Sequence, residues 1–413
     1  MLKGKSVIEL TDVKTGEVET FENDNIITDG VQAYINMMFR FGTHSTSTVM
    51  WKELFGGIRL YDRTLEEEAA SYMHPSVDVA KLTGYASITQ KDSSNIDTMR
   101  GMLNTSETKE IENGIQIVYD FATSEANGTI ACCCLTTDRG GQWVLDRYVD
   151  EGDNYLVQND SSLTCAVDTQ SGNVFVLTYD DSGSKYVKSL KEFDYNEISM
   201  RLEKKSNQYN PINEYSFECA YGDLSKTTLL NGIDSGRSVM VTSSSGKYQF
   251  YIYNVRNGEL IKTIQTELKD VRYCRIYKNY IIAVLYDKNI VKIDIDNPSN
   301  ISYITQDAFD GQGGRDRPIV LSNGDIWVKP IVFSPSSGEY QKVTSSNTRW
   351  GDYERAVDET KHLLLGARND SKNNLFRKPN TQILMTINNL QQPVTKTADK
   401  TMKITYTLTY TNR

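Results

Sequence analysis

The chain has 413 residues, of which 38% are hydrophobic and 24% charged, and its formal net charge is -9 at pH 7. These values are typical of a soluble protein with two or three domains, and no apolar run reaches the roughly 18–20 residues of a membrane helix. The acidic balance, 45 Lys and Arg against 54 Asp and Glu, without a basic cluster, argues against nucleic acid as a partner.

The N-terminal segment predicts a β-hairpin followed by a helix. Residues 6–21 place apolar residues on both sides of a turn at 14–17. Asp29 is a candidate N-cap for the helix, and four apolar residues follow it at the i, i+3, i+4, i+7 spacing: Val31, Tyr34, Ile35 and Met38. Because this start has no secretion-signal pattern, we expect the chain to be made in a cytoplasm.

Further strands are predicted at 57–61, 85–88, 115–121 and 129–136, and the last contains Cys132, Cys133 and Cys134. Consecutive residues on a strand point to alternate faces, so these three cannot converge on one metal ion. The other three cysteines lack CxxC spacing, and the three histidines are dispersed. The sequence therefore predicts free buried thiols, with no disulfide framework or metal site.

From about residue 142 the pattern changes to short alternating strands separated by Gly or Asn turns. Comparable turns lie near positions 172, 246, 288 and 324, so the spacings are 74, 42 and 36, and 74 is about two units of 37. This interpretation places one further unit near Ser206-Asn207. A period of about 40 in an all-β region is typical of β-propeller blades of four strands each. We therefore predict about six blades over residues 142–372, with a two-sheet sandwich as the alternative.

After Pro379 the pattern returns to that of the first 141 residues. Residues 383–390 and 402–408 predict strands, and the second alternates strictly. We expect residues 373–413 to complete a β-rich domain with residues 1–141, because a closed propeller brings its termini together and inserts readily into another domain. The predicted fold class is mainly β: a central propeller inserted into a β-rich N/C-terminal domain with one short helix.

Three blocks carry a family resemblance. They are residues 54–62 (LFGGI and LYD), residues 119–136 (YDFATSEANGTI and CLT) with Gly140-Gly141, and residues 386–408 (TINNL, PVTKT and MKITYTL). They resemble tail-fibre and baseplate-associated proteins of phages of Gram-positive bacteria. The resemblance covers roughly the first 140 and last 40 residues, and the central region carries no motif from it.

The resemblance implies a structural virion protein of a phage or phage-like contractile tail, made in the host cytoplasm and without a known cofactor. The β-rich terminal domain would then be a tail-attachment domain. Its expected partners are other tail and baseplate proteins and further copies of the chain. A purely structural baseplate scaffold is the alternative, and a cell-wall glycosidase is a third hypothesis that no nucleophile motif supports.

The candidate binding residues are Arg349, Trp350, Asp352 and Tyr353, in a polar stretch where an aromatic ring has little reason to be buried. Exposed rings stack on sugar faces, and Arg and Asp bind hydroxyls, so host-surface carbohydrate is one expected ligand. Contact with another protein explains the same residues equally well.

Three other features have simpler interpretations. The glycines at 311–314, with nearby Asp307, Asp310 and Asp316, lack the spacing of a calcium-binding EF-hand and indicate a solvated loop. Glu66–Glu68 indicates a solvated face, because acid–base catalysis needs a desolvated carboxyl group beside another one. Trp327 lies inside an apolar strand, which favours packing. The sequence therefore predicts no catalytic residues.

Overall fold

The computed structural model describes most of the chain, and every structural statement below concerns these residues: 2–31, 54–89, 97–138, 140–142, 164–180, 187–194, 211–218, 232–244, 247–286, 289–305, 318–321, 323–328, 331–342, 354–358, 363–368, 372–377 and 383–410. Two compact units are present. The terminal unit comprises Met1–Arg147, Val343–Ser346 and Pro379–Arg413, and the central unit comprises Tyr148–Lys342 and Asn347–Lys378.

The described elements are mostly β-strands. The first eight strands are β1 (Leu2–Asp12), β2 (Val18–Ile27), β3 (Gly57–Tyr61), β4 (Leu82–Ser87), β5 (Met102–Leu103), β6 (Lys109–Ile111), β7 (Gly114–Phe121) and β8 (Gly128–Thr136). A short 3-10 helix follows at Gly140–Gln142. The helix predicted after Asp29 falls mainly on residues 32–38, which lie outside the described residues.

Nineteen strands of the central unit follow in the described residues. They are β9 (Thr164–Val167), β10 (Val174–Asp180), β11 (Val187–Phe193), β12 (Asn213–Glu218), β13 (Ile233–Asp234), β14 (Arg237–Ser244), β15 (Lys247–Asn254), β16 (Leu260–Gln265), β17 (Val271–Tyr277), β18 (Tyr280–Leu285), β19 (Ile290–Asp294), β20 (Ile301–Thr305), β21 (Ile319–Val320), β22 (Ile326–Val328), β23 (Ile331–Phe333), β24 (Tyr340–Lys342), β25 (Glu354–Asp358), β26 (Leu363–Arg368) and β27 (Lys372–Arg377). The terminal unit then resumes with β28 (Thr386–Lys396) and β29 (Lys400–Tyr410). No helix in the described part of the chain is long and apolar enough to span a membrane.

The terminal unit is built on one ten-stranded sheet, in the order β4-β3-β8-β28-β2-β1-β29-β7-β5, with β6 also paired to β7. Strand β29 lies between β1 and β7, and its Ile404 stands opposite Ile8 and Tyr119. At the sheet ends, the Tyr85 N–H donates to the Met99 carbonyl at 3.0 Å, and the Gly101 N–H donates to the Tyr85 carbonyl at 2.9 Å. These bonds join β4 to the segment before β5, so the sheet is a nearly closed barrel.

Alternation along the barrel strands sends every second side chain to a common apolar core. On β29, Met402, Ile404, Tyr406 and Leu408 all belong to this core and are at most 2% exposed. Cys133 faces the same core, whereas Cys132 and Cys134 share the opposite face with their sulfur atoms 3.5 Å apart. These two cysteines are buried and form no disulfide, and the same holds for Cys133 and Cys274, which confirms the prediction for these four cysteines.

The central unit is a β-propeller. In the described residues it contains five successive antiparallel sheets: β9–β12, β13–β16, β17–β20, β21–β24 and the three-stranded β25–β27. The first strand of each sheet is the inner one: β9 is bridged to β13 through Asp168 and Ile233, β17 contacts β13, and β25 contacts both β21 and β9. The sheets therefore form a ring, which excludes the two-sheet sandwich.

Strand β18 shows why the sequences of the propeller strands are nearly continuous runs of apolar residues. Ile281, Ala283 and Leu285 pack into a core shared with the second sheet, while Ile282 and Val284 pack into a core shared with the fourth sheet. A propeller blade is covered on both faces by its neighbours, so both faces of its strands are apolar.

The period of about 40 has a direct structural origin. The turns between the third and fourth strands of the second, third and fourth sheets begin at Asn254, Asp294 and Ser334, which are 40 positions apart (294 − 254 and 334 − 294). Each of these side chains accepts a backbone N–H bond from two residues ahead, at 2.9 Å, 2.9 Å and 3.3 Å respectively. A polar side chain that closes its own turn is a local signal that repeats with the blade.

The turns used to find that period are not equivalent to one another. The turns near 172 and 324 connect the first and second strands of their sheets, whereas those near 246 and 288 connect the second and third. The additional unit was placed near Ser206-Asn207, which lie outside the described residues; the strands that flank them, β11 and β12, pair with each other within the first sheet. The described residues contain five sheets, where the sequence predicted about six blades.

Candidate functional site

The predicted binding residues Arg349, Trp350, Asp352 and Tyr353 lie outside the described residues, as does the glycine-rich loop at 311–314. Trp327 is 5% exposed within an apolar strand, so its packing role is confirmed. Glu66, Glu67 and Glu68 are exposed, and Glu66 accepts a bond of 3.0 Å from the Ser71 hydroxyl. Among the described residues, no group of three or more His, Cys, Asp or Glu side chains is placed to hold a metal ion.

A different surface of the propeller brings together aromatic and charged side chains. It lies where the second and third sheets adjoin, at the strand ends where β16 leads into β17 and where β18 turns toward β19. We call it the tyrosine–arginine patch and define it by Tyr248, Asp270, Arg272, Tyr273 and Tyr286.

Backbone pairing holds the patch in place. Asp270 directly precedes β17 and Tyr286 directly follows β18, and the Tyr286 N–H donates to the Asp270 carbonyl at 2.8 Å. Their neighbours Val271 and Leu285 are paired in the sheet and are 6% and 4% exposed. Two buried apolar residues therefore anchor the strand ends that carry the exposed groups.

The Arg272 guanidinium is close to two tyrosine rings. Its carbon is 5.5 Å from the ring centroid of Tyr273 and 5.1 Å from that of Tyr286, within the range of a cation–π contact. Tyr286 is 61% exposed, the largest value among the exposed large hydrophobic side chains of the described residues. The patch therefore presents an accessible ring beside a fixed planar cation.

Tyr248 is the residue of the patch that belongs to the second sheet. Partial burial raises the pKa of its hydroxyl, and the negative charge of Asp270 raises the pKa further. The Thr266 hydroxyl donates to the Tyr248 carbonyl at 3.0 Å, which ties β15 to the connection leading into β17. Nearby, Lys247 and Glu267 form an exposed ion pair of 2.7 Å.

Another polar cluster of the propeller is enclosed and is best explained as a structural joint. Glu192 of β11 accepts bonds from Arg256 at 2.9 Å, Asn173 at 2.9 Å and Tyr215 at 2.7 Å, while Arg256 also covers the ring of Phe175 at 5.6 Å. Burial alone would raise the pKa of Glu192, but these hydrogen bonds and the Arg256 charge outweigh it and lower that pKa to about 2. The cluster joins the first and second sheets.

The barrel also has an enclosed polar pair. The Tyr61 hydroxyl and His74 Nδ1 are 2.8 Å apart, and both side chains are buried. Burial lowers the pKa of His74 well below its ordinary value, and the Arg59 charge lowers it further. A neutral imidazole held against a phenol, away from solvent, is consistent with packing and not with ligand contact.

The patch could not be recognised in the sequence, because Arg272 and Tyr286 are 14 positions apart (286 − 272) and meet only through the pairing of β17 with β18. The one weak local signal is Tyr286, an aromatic residue that follows the apolar run of β18 and precedes a turn.

No family model matches the sequence, and no curated protein matches it. Among solved structures, the chain is similar to the WD40 β-propeller domain of Doa1, with 12% identity and a TM-score of 0.28 over 57% of this chain and 96% of that chain. It is also similar to TolB from Acinetobacter baumannii, with 11% identity and a TM-score of 0.30 over 74% of this chain and 79% of that chain. A third similar structure is BamB from Moraxella catarrhalis, with 10% identity and a TM-score of 0.22 over 72% of this chain and 95% of that chain. These likenesses concern the fold alone, and the propeller assignment rests on the sheet topology.

Proposed function

We propose that this chain is a non-catalytic structural protein of a phage or phage-like tail. In this proposal the terminal unit attaches the protein to other tail or baseplate proteins and to further copies of itself. The propeller is then the part that contacts the host surface. The starting point is the resemblance of residues 54–62, 119–141 and 386–408 to tail-fibre and baseplate-associated proteins.

The observation that carries the proposal is the location of those three blocks in the barrel. Strand β3 pairs with β8, with Arg59 opposite Cys134, and β8 pairs with β28, with Cys133 opposite Asn388. The second and third blocks also meet through Lys396, whose ammonium donates to Asn127 Oδ1 at 2.8 Å. Blocks that are distant in sequence but adjacent in one unit support a shared attachment module that carries a separate binding domain.

The propeller supports the binding part of the proposal. Its apolar residues are used in packing one sheet on the next, so the loops and strand ends at its faces are free to vary and to bind. The tyrosine–arginine patch is such a surface, with a 61% exposed tyrosine held beside a guanidinium group.

Exposed apolar side chains on the outermost strands favour a second candidate function, that of a baseplate scaffold. Leu260 and Ile261 of β16 are 41% and 52% exposed, and Tyr303 of β20 and Tyr340 of β24 are 51% and 43% exposed. Outer strand edges with apolar side chains suit contact with other proteins.

The proposal is tested on particles released by the strain that encodes the chain. Density-gradient particles are analysed by mass spectrometry, and antibodies against the full-length protein locate it by immunogold electron microscopy. We expect the protein at the tail tip or baseplate, and an abundant cytoplasmic protein of the same cells serves as the negative control. Absence from purified particles refutes the tail assignment. Antibodies that label disrupted but not intact particles favour the scaffold.

A further inference from the structure

We infer that the tyrosine–arginine patch binds a neutral pyranose unit of a surface polysaccharide. The inference deepens the proposed function and rests on it for the existence of a polysaccharide-bearing target. It places the ligand at Tyr248, Asp270, Arg272, Tyr273 and Tyr286, whereas the candidate binding residues predicted from the sequence lie in the segment 349–353.

The first argument is the accessible ring of Tyr286. A pyranose has one face of C–H groups that packs against an aromatic ring, and such contact buries apolar area on both partners. Tyr286 is 61% exposed, while Leu285 beside it is 4% exposed and its own backbone N–H is bonded to Asp270. The ring is therefore accessible and attached to a fixed strand end, which reduces the entropy that binding would cost.

The second argument is a carboxylate and a guanidinium group two positions apart on one segment, with the guanidinium carbon of Arg272 5.1 Å from the Tyr286 ring centroid. A sugar hydroxyl both donates and accepts, so it is well matched by a carboxylate acceptor and a guanidinium donor at neighbouring positions. Asp270 and Arg272 are such a pair, and they flank the buried Val271 at the start of β17. The Arg272 guanidinium is within cation–π distance of the rings of both Tyr273 and Tyr286, so its donors lie close to the exposed ring.

The charge of the patch favours a neutral ligand. Lys247 and Glu267 form an ion pair that carries no net charge. The other three charged residues, Lys269, Asp270 and Arg272, together carry a net charge of +1. A polyanion such as a phosphate polymer is bound by concentrated Lys and Arg, whereas here the carboxylates of Glu267 and Asp270 offset two of the three positive charges of Lys247, Lys269 and Arg272. The patch thus has the balanced polar character that a neutral sugar requires.

The same surroundings make a protein partner less suitable. The centre of a protein–protein interface is depleted of Lys, Glu and Asp. The patch is bordered by three exposed charged residues: Lys247 precedes Tyr248, Lys269 precedes Asp270, and Glu267 is paired with Lys247. A single sugar ring fits within this border without burying those charges.

The inference is tested with the full-length protein, labelled with a fluorophore and applied to a glycan array carrying neutral and anionic oligosaccharides. We expect binding to neutral pyranose glycans, in the millimolar range for one site and strengthened roughly 10²–10⁴-fold when several copies are displayed together. Tyr286→Ala and Arg272→Ala should each weaken binding by at least tenfold. Tyr286→Phe should keep most of it, because the ring face is retained.

The matched control is Tyr303→Ala, since Tyr303 is 51% exposed on β20 and does not belong to the patch. Circular dichroism confirms that each variant is folded before binding is compared. Periodate, which cleaves vicinal diols of sugars, should abolish binding to intact bacterial walls, and protease treatment of those walls should leave it unchanged.

The inference is overturned if no neutral glycan binds, if only anionic glycans bind, or if Tyr286→Ala binds as well as Tyr303→Ala. Loss of wall binding after protease but not after periodate assigns the patch to a protein partner and also overturns it. These outcomes are independent of the particle experiment. Sugar binding by a protein absent from particles would refute the tail assignment alone, and a tail protein without sugar binding would refute this inference alone.

Discussion

Replacement of Glu192 by Gln is expected to loosen the joint between the first two propeller sheets. Glu192 is nearly enclosed, with a 3% exposed side chain, and it is bonded to Arg256, Asn173 and Tyr215. At about 1.4 kcal/mol per pKa unit, a pKa lowered from 4.5 to about 2 corresponds to about 3 kcal/mol. Because Arg256 is 39% exposed and stays partly hydrated, we expect a loss of about 1.5–2 kcal/mol in the free energy of unfolding.

The pH dependence follows from the direction of the shift. The folded-state pKa lies below the unfolded value, so the stabilisation is present above pH 4.5 and is lost as the pH falls toward about 2. The difference between the native protein and Glu192→Gln should therefore be constant from pH 6 to 7 and should shrink below about pH 4.5. Stability gained on acidification would have the wrong sign for this explanation.

The assay is urea unfolding followed by circular dichroism, with hydrogen exchange of peptides from β9–β16 to assign the transition to the propeller. The control is Glu214→Gln in the same sheet, since Glu214 is 52% exposed and its bridge to Lys191 is 3.9 Å long. Such an exposed pair contributes at most about 1 kcal/mol. If Glu192→Gln costs no more than Glu214→Gln, or if its effect is the same at pH 3 and pH 7, the joint does not act as described.

Three further predictions concern the barrel and the repeated turns. Burial lowers the pKa of Lys396 to about 8, so the terminal unit should gain stability as the pH rises from about 8 to 10.5, and Lys396→Met should remove that gain in urea unfolding. Gly16→Ala and Gly338→Ala should each cost about 1 kcal/mol in the melting of their own unit, because φ is +74° and +81° there while no atom lies within 4 Å of the added Cβ. Ending the chain at residue 378 removes β28 and β29, so β1, β2, β7 and β8 each lose a partner and the protein should aggregate in size-exclusion chromatography. A soluble product whose remaining unit melts unchanged would contradict this.

The enclosed and exposed polar groups of the propeller have different roles for a physical reason. Glu192 and Arg256 lie where two sheets meet and are used in bonds to each other, so replacing them alters stability. Arg272 and Tyr286 lie at strand ends whose apolar neighbours already hold the backbone, so replacing them should alter binding and leave the fold intact.

Local patterns in the sequence were sufficient for several features. Alternation predicted the strand at 402–408 within β29, and an apolar context predicted the burial of Trp327. A period of about 40 was also predicted, although from turns that are not equivalent; the equivalent turns that repeat every 40 positions are those at Asn254, Asp294 and Ser334. These signals depend on neighbours within a few positions of one chain segment, so no tertiary contact is needed to detect them.

The tertiary structure alone decided which strands are partners and which turns are equivalent. All turns of an antiparallel blade use the same residue types, so the sequence did not separate the turn near 172 from the one near 246. The pairing of β1 with β29 and the meeting of Arg272 with Tyr286 depend on which apolar faces are buried together over the whole chain. A strand pattern specifies that one face must be covered but not by which strand, and only the folded protein specifies the covering strand.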